Sequence, residues 1–364
     1  MEEFLEIVEC NKTYFNYPQH LSTLLINPQI QIYYLDELKY LKTINIIGDN
    51  SDYESQIIDY SAINQFKELE VLTIENAKNI KSLDVSDLEH LHTLVLLDNK
   101  NLEKINGLEN LKELERVIIV GNKIKKIKNL DQFISNTKDA KIVRFDINMY
   151  HYIKDFDIMK TTNNIEYAEK ISVGTIYNLT AEMMKELYEK GQEIIRRIIA
   201  DNKKEIAREI YKYLVETLTY DYETLEKRNK YIQEGNKIGM FKNNFKDINS
   251  SYKALIENKA VCEGYANAFK YLTNMEGIET ENIICFLNKT NMPFEYYNHT
   301  ASRFKINGKW LYCDSQIDDK SLKYFALTRK QFEESHKLQP ELTRKSVEKY
   351  ETDTDKELSK RKRR

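Results

Sequence analysis

The sequence predicts an α+β chain in two parts: a solenoid of short strands over residues 1–150, and a mixed domain over residues 181–340 that carries the chemistry. Three observations predict it. An apolar pattern recurs about every 22 to 23 residues between Phe66 and Ile119, a period typical of strand-and-loop repeat arrays. A helical spacing of apolar residues begins at Cys262, and Asn307-Gly308 divides two strand-like runs.

The repeats read Phe66-x-x-Leu69-x-x-Leu72-x-Ile74, Leu88-x-x-Leu91-x-x-Leu94-x-Leu96 and Leu111-x-x-Leu114-x-x-Val117-x-Ile119. This is the pattern of a leucine-rich repeat, with Asn99 and Asn122 at its turn position. Leu38-x-x-Leu41-x-x-Ile44-x-Ile46 forms an earlier unit before a longer insert around Asp49 to Tyr60, and residues 142–147 form a closing strand. One repeat cannot enclose a core, so each buries its leucines against the next. The alternate residues Thr73, Glu75, Val95, Leu97, Ile118 and Val120 are then expected to be exposed, either as a protein-binding surface or on an array that only buttresses the second domain.

Residues 151–180 read as a connector with strand-like pieces. Thr180 can cap a helix running through Met183, Met184, Leu187 and Tyr188 toward Ile199, and Ile206, Ile210 and Leu214 make the stripe of a second helix. Tyr222 to Ser251 reads as a helix and loop able to border a cleft. Residues 341–364 form a charged tail ending Lys360-Arg361-Lys362-Arg363-Arg364, a run more often solvated than binding.

From Cys262 the residues Tyr265, Ala268, Phe269 and Leu272 recur at helical spacing up to a stop at Gly277, so Cys262 should open a helix. A thiol there faces the positive end of the helix dipole, and with an imidazolium nearby such a cysteine falls from about 8.5 toward roughly 3.5 to 7.5. The first-turn N–H groups lack helical partners and could stabilise an oxyanion.

Asn307-Gly308 favours a two-residue type I′ turn. Counting outward, Ile306 faces Lys309, Ala301 faces Asp314 and His299 faces Gln316. Side chains alternate, so His299 and Asp314 share a face as diagonal neighbours, about 7 to 8 Å apart at the backbone. Phe304, Ile306, Leu311 and Cys313 fill the opposite, core-facing side. Cys262, His299 and Asp314 thus suit a nucleophile, its base and the orienter of that base. Singly, each is more often a buried or solvated residue without a role. A structural zinc site on Cys262, Cys285, His299 and Cys313 is the competing reading, but no CxxC or HxxxH pair exists.

Residues 201–319 resemble the transglutaminase-like superfamily, whose papain-like core sets a cysteine at a helix start and a histidine and aspartate on adjacent strands. The resemblance rests on Ile210-Tyr211-Lys212-Tyr213-Leu214 through Tyr220-Asp221-Tyr222, on Val261-Cys262-Glu263-Gly264-Tyr265-Ala266, on Ile306-Asn307-Gly308-Lys309-Trp310, and on Asp314, Asp318 and Asp319. It implies Cys262 as nucleophile, His299 as general base and acid, and Asp314 as holder of the imidazole tautomer. Members commonly read His-Ala-Trp-Asn where this chain reads His299-Thr300-Ala301-Ser302, so a wall more open at Ala301 is expected.

With 41 % hydrophobic and 31 % charged residues the chain reads as soluble and globular, and a net charge of −3 offers no basic field for nucleic acid. No stretch is apolar enough to span a membrane. Met1-Glu2-Glu3 lacks the basic-then-apolar pattern of a leader, so a cytoplasmic protein, or a trimmed secreted one, is expected. Four cysteines do not suggest a disulfide framework. The expected function is metal- and cofactor-free acyl transfer through a Cys262 thioester: cross-linking, deamidation or hydrolysis of protein or peptide substrates captured by the repeats. The alternative is an inactive scaffold that only binds a partner.

Overall fold

The computed structural model describes residues 23–26, 40–48, 60–77, 80–124, 127–148, 165–171, 175–236, 247–287 and 298–338. Cys10, Leu38, most of the insert after Asp49, residues 151–164 and the basic tail lie outside them. The described residues fall into two compact units that meet between Glu166 and Tyr167.

In the first unit β1 (Thr23–Ile26), β2 (Thr43–Ile47), β3 (Val71–Glu75), β5 (Thr93–Leu97), β7 (Arg116–Val120) and β8 (Ile142–Asp146) pair in parallel in that order. The short strands β4 (Ser82–Asp84) and β6 (Lys104–Asn106) pair beside them, and helix α1 covers Leu130–Asn136. Register stacks Ile44, Leu72, Leu94, Val117 and Val143 in one column and Ile46, Ile74, Leu96, Ile119 and Phe145 in the next. All are essentially inaccessible. Each such side chain removed from water contributes about 1.5 to 3 kcal/mol.

Asparagines stitch the turns. Asn99 is buried, accepts from the Ala77 N–H at 3.0 Å and donates to the Ile74 carbonyl at 2.8 Å. Asn122 does the same one repeat later, accepting from the Asn99 N–H at 3.1 Å and donating to the Leu96 carbonyl at 2.8 Å. The expected exposed row needs correction: Thr73, Glu75, Val95 and Leu97 are half-buried, whereas Ile118 and Val120 are buried. Alternation gives only the face on which a side chain lies, and β7 is covered on both faces.

The end of the segment expected as a connector is strand: β9 (Ile165–Ile171), within which the unit boundary falls, and β10 (Thr175–Leu179) form an antiparallel pair. Thr180 then caps α2 (Ala181–Arg196), accepting from the Met183 N–H at 3.3 Å. The helix ends short of Ile199, which is 95 % exposed and offers no packing to continue it. Asn202 caps α3 (Lys203–Thr217), whose Ile210 and Leu214 are buried as the stripe requires. β11 (Thr219–Tyr220) pairs in parallel with β12 (Lys259–Ala260), and between them lie α4 (Tyr222–Gln233), capped by Asp221, and α5 (Ser251–Glu257), capped by Ser250. There follow α6 (Cys262–Met275), β13 (Thr280–Leu287), β14 (Asn298–Ile306), β15 (Lys309–Cys313), α7 (Arg329–Glu333) and β16 (His336–Leu338). Their antiparallel sheet has the order β15-β14-β13-β16, and α6 packs on it through Phe269, whose ring lies 5.6 Å from that of Phe304. No helix among the described residues is long and apolar enough to cross a membrane.

Candidate active site

Cys262 is the first residue of α6, as its apolar spacing predicts. Three features place it. Val261 donates its N–H to the Ile248 carbonyl at 3.2 Å, and the β11–β12 pair sets Tyr220 opposite Ala260, on the strand that leads into Cys262. Gly264 completes the turn because a Cβ there would stand 2.7 Å from the Ala260 Cβ and 2.8 Å from the Ile248 carbonyl oxygen. Val261 has no side-chain cap to offer the first-turn N–H groups, which leaves the helix start suited to receive an oxyanion.

The hairpin has the register counted from its turn. Ile306 pairs with Lys309 and Ser302 with Cys313, and Asn307 and Gly308 both take positive φ, 48° and 78°, as a type I′ turn requires. His299 and Asp314 come together on one face, with Nε2 2.5 Å from Oδ2. That face is not the open, non-core side expected from alternation. Cys285, Ala301, Tyr312 and Phe332 form a buried cluster on it, leaving His299 4 % and Asp314 2 % exposed. The Ala301 wall is likewise closed, since α7 brings Phe332 over it.

Asp314 is a buried anion held by four donors. Its Oδ2 accepts from His299 and, at 2.9 Å, from Nε2 of His336; its Oδ1 faces the N–H groups of Gln316 and Ile317 at 3.0 and 3.4 Å. Burial alone would raise its pKa, but the two imidazoles hold it down to about 2. For His299 burial opposes the charge, and the hydrogen bond to Asp314, with the influence of the nearby Cys262 thiol, pushes it up to about 10.

Behind the His299–Asp314 pair the Tyr211 hydroxyl lies 2.8 Å from both the Asp314 carbonyl oxygen and Asp318 Oδ2. Asp318 also accepts from the N–H groups of Leu322 and Tyr324, fixing the loop after β15, whereas Asp319 receives the Ser321 N–H at 3.3 Å and pairs with Lys323 at 3.5 Å at the surface. Buried Lys253 pairs with Asp221 at 3.2 Å and ties α5 to the cap of α4.

His336 is the residue that sequence reasoning missed. It sits in Glu334-Ser335-His336-Lys337, with no apolar period or turn signal around it. It reaches the site because β16 pairs with β13, setting His336 opposite Leu287. His299, Asp314 and His336 are also the set of potential metal ligands that the described residues bring together; Cys285 and Cys313 join no such set. The donor types would suit zinc, but tetrahedral ligands about 2.0 to 2.2 Å from an ion stand roughly 3.3 Å apart. The observed 2.5 and 2.9 Å are hydrogen-bond separations instead.

Residues 189–339 match the family model of a transglutaminase-like domain, and the chain carries such a domain there. Among solved structures it is similar to a TGase, at 16 % identity over 43 % of this chain and 45 % of that one with a TM-score of 0.30. It is also similar to a candidate cysteine protease from Cytophaga hutchinsonii, at 15 % identity, 36 % and 37 % coverage and a TM-score of 0.25. A third is an internalin from Listeria monocytogenes, at 19 % identity, 41 % and 47 % coverage and a TM-score of 0.29. The chain spans less than half the length of each of these structures. No curated protein matches it.

Proposed function

We propose that the transglutaminase-like domain is a cysteine acyltransferase or amidase acting on protein or peptide carboxamides. The observation that carries this is the buried His299–Asp314 pair, with Cys262 at a helix start and near enough to the same imidazole to raise its pKa. The thiol proton resides on His299 as sulfur attacks the carbonyl, and the developing oxyanion faces the first-turn N–H groups of α6. The C–N bond breaks as His299 passes that proton to the leaving amine. Cys262 keeps the acyl group as a thioester. An amine or water then attacks it, giving cross-linking in the first case and deamidation or hydrolysis in the second, while His299 takes the attacker's proton and the sulfur is released.

The first unit we read as a leucine-rich-repeat module that captures the protein substrate. Its columns of buried aliphatic residues and its asparagine-stitched turns support the repeat assignment. Burial of Ile118 and Val120 narrows the candidate surface to Thr73, Glu75, Val95 and Leu97. Intact mass spectrometry of the chain quenched in acid with a glutamine-containing casein substrate tests the chemistry. A covalent acyl adduct on Cys262, lost in Cys262→Ala, is expected. Non-covalent capture by both forms with no adduct at any time would instead identify a scaffold.

A further inference from the structure

Among the described residues one buried imidazole is left over once the proposed triad is assigned. His336 is completely buried on β16, the three-residue edge strand. Its ring stacks on Phe332, centroids 3.9 Å apart and planes 10° apart, and meets Tyr324 edge-on at 5.9 Å. Stacking sets the ring plane and pairing with Leu287 sets the backbone. Nε2 consequently meets the same Asp314 Oδ2 that His299 uses, at 2.9 Å against 2.5 Å.

An ionised carboxylate only accepts, so both Nε2 atoms must carry hydrogen. In the neutral ring Nδ1 of His336 then accepts, and the Ser335 hydroxyl 2.8 Å away can donate to it. In the cationic ring Nδ1–H donates to that hydroxyl or to the Phe332 carbonyl at 3.3 Å, and the hydroxyl turns to the same carbonyl, also at 3.3 Å. Either charge state leaves no polar atom of His336 unpaired. A hydrogen bond to a carboxylate favours its charged form and makes it a weaker proton acceptor. The second N–H on Oδ2 therefore lessens the pull of Asp314 on the first.

We infer that His336 is a positioning residue: a second imidazole that shares Oδ2 of Asp314, fixes that carboxylate in place and limits its hold on the His299 proton, so that His299 can release it to the leaving amine. The inference rests on the acyl-transfer reading for its purpose, though not for its geometry. Other groups that could titrate nearby are Cys262 on α6, Cys285 on β13, Cys313 at the end of β15, Tyr211 on α3, and Asp318 and Tyr324 in the loop after β15. Asp318 is held by Tyr211 and two backbone N–H groups, and Arg329 and Glu333 on α7 pair with each other at the surface.

Side-chain nitrogen–proton NMR of the full chain tests this. In the wild type His336 is expected as the Nε2–H form; a bare Nε2 would overturn the proposal at once. The titration midpoint of the His299 ring is expected to rise by about one pH unit in His336→Leu, the scale of one hydrogen bond to a charged group. It should stay near wild type in His336→Gln, whose amide keeps an N–H at the ε position. Equal midpoints in His336→Leu and wild type, or a glutamine variant that moves as far as the leucine one, would overturn it. If His336→Leu does not fold, the wild-type tautomer decides alone. A chain with the shared carboxylate but no thioester on Cys262 would retire the acyl-transfer reading and leave this network standing.

Discussion

The three described cysteines occupy opposite environments. Cys262 is partly accessible and acts on the His299 imidazole, while Cys285 and Cys313 are buried, their thiols pushed up first by burial and then by the Asp314 charge. Only ionised, reachable sulfur alkylates quickly. At pH 7 iodoacetamide should therefore modify Cys262 at least about tenfold faster than either of the others in the folded chain. Comparable rates by peptide mass mapping would remove the nucleophile assignment. Charge on the pair also ties stability to pH. His299 is raised from 6.5 to about 10, so its contribution is complete below 6.5 and fades as pH climbs toward 10; Asp314 is lowered from 3.8 to about 2, so its share is present above 3.8 and fades as pH falls toward 2. Thermal melts should show Asp314→Asn destabilised by about 3 to 5 kcal/mol near pH 6, because a buried charge loses its partner. The variant should also lack the wild-type decline between pH 6.5 and 10, and an equal decline in both would refute the coupling.

At the scale of elements, one substitution made at two glycines should act by two mechanisms. Gly308 has φ +78° and nothing within 4 Å of the point where a Cβ would stand, so Gly308→Ala strains only the backbone of the type I′ turn. A cost of about 1 kcal/mol with Cys262 reactivity kept is expected. Gly264 meets Ala260 and the Ile248 carbonyl instead, so Gly264→Ala must push α6 away from β12. A larger loss of melting temperature together with slower Cys262 alkylation is expected, and a wild-type alkylation rate in a folded Gly264→Ala would show that this contact does not place Cys262. The same two elements explain what could be read from sequence. A helix start and a two-residue hairpin are written within a few neighbouring residues, so Cys262 and the His299–Asp314 diagonal were legible. His336 was not, because its place depends on β16 pairing with β13 across some fifty residues and on Phe332 arriving from α7. The closed Ala301 wall was hidden for the same reason.

For the whole molecule, the relevant fact is that each unit has a core of its own: stacked Leu72, Leu94, Val117 and Val143 in the first, and Leu214, Phe269, Leu272 and Phe304 in the second. The repeat period was legible because it recurs, but which residues stay accessible was not, since period alone cannot tell a half-covered strand from β7, where Ile118 and Val120 are buried. That distinction separates two substitutions of the same type. Leu97→Glu places a charge at a half-buried position, where a surface change usually stays within about 0.5 kcal/mol and at most somewhat exceeds it. Val120→Glu forces a carboxylate into a site with no accessible surface, which costs several kcal/mol or drives the group to take up a proton. The first should melt close to wild type and lose protein-substrate capture if the repeats are a docking surface. The second should lower the melting temperature sharply and so say nothing of docking. Asn99→Ala gives the matching control, because its bonds to Ala77 and Ile74 stay within the first unit. It should cost about 1 to 3 kcal/mol, the penalty for buried backbone groups left unpaired, with the Cys262 alkylation rate unchanged. A Leu97→Glu chain that still captures the substrate as wild type does would exclude this face as the docking surface, whatever Cys262 proves to do.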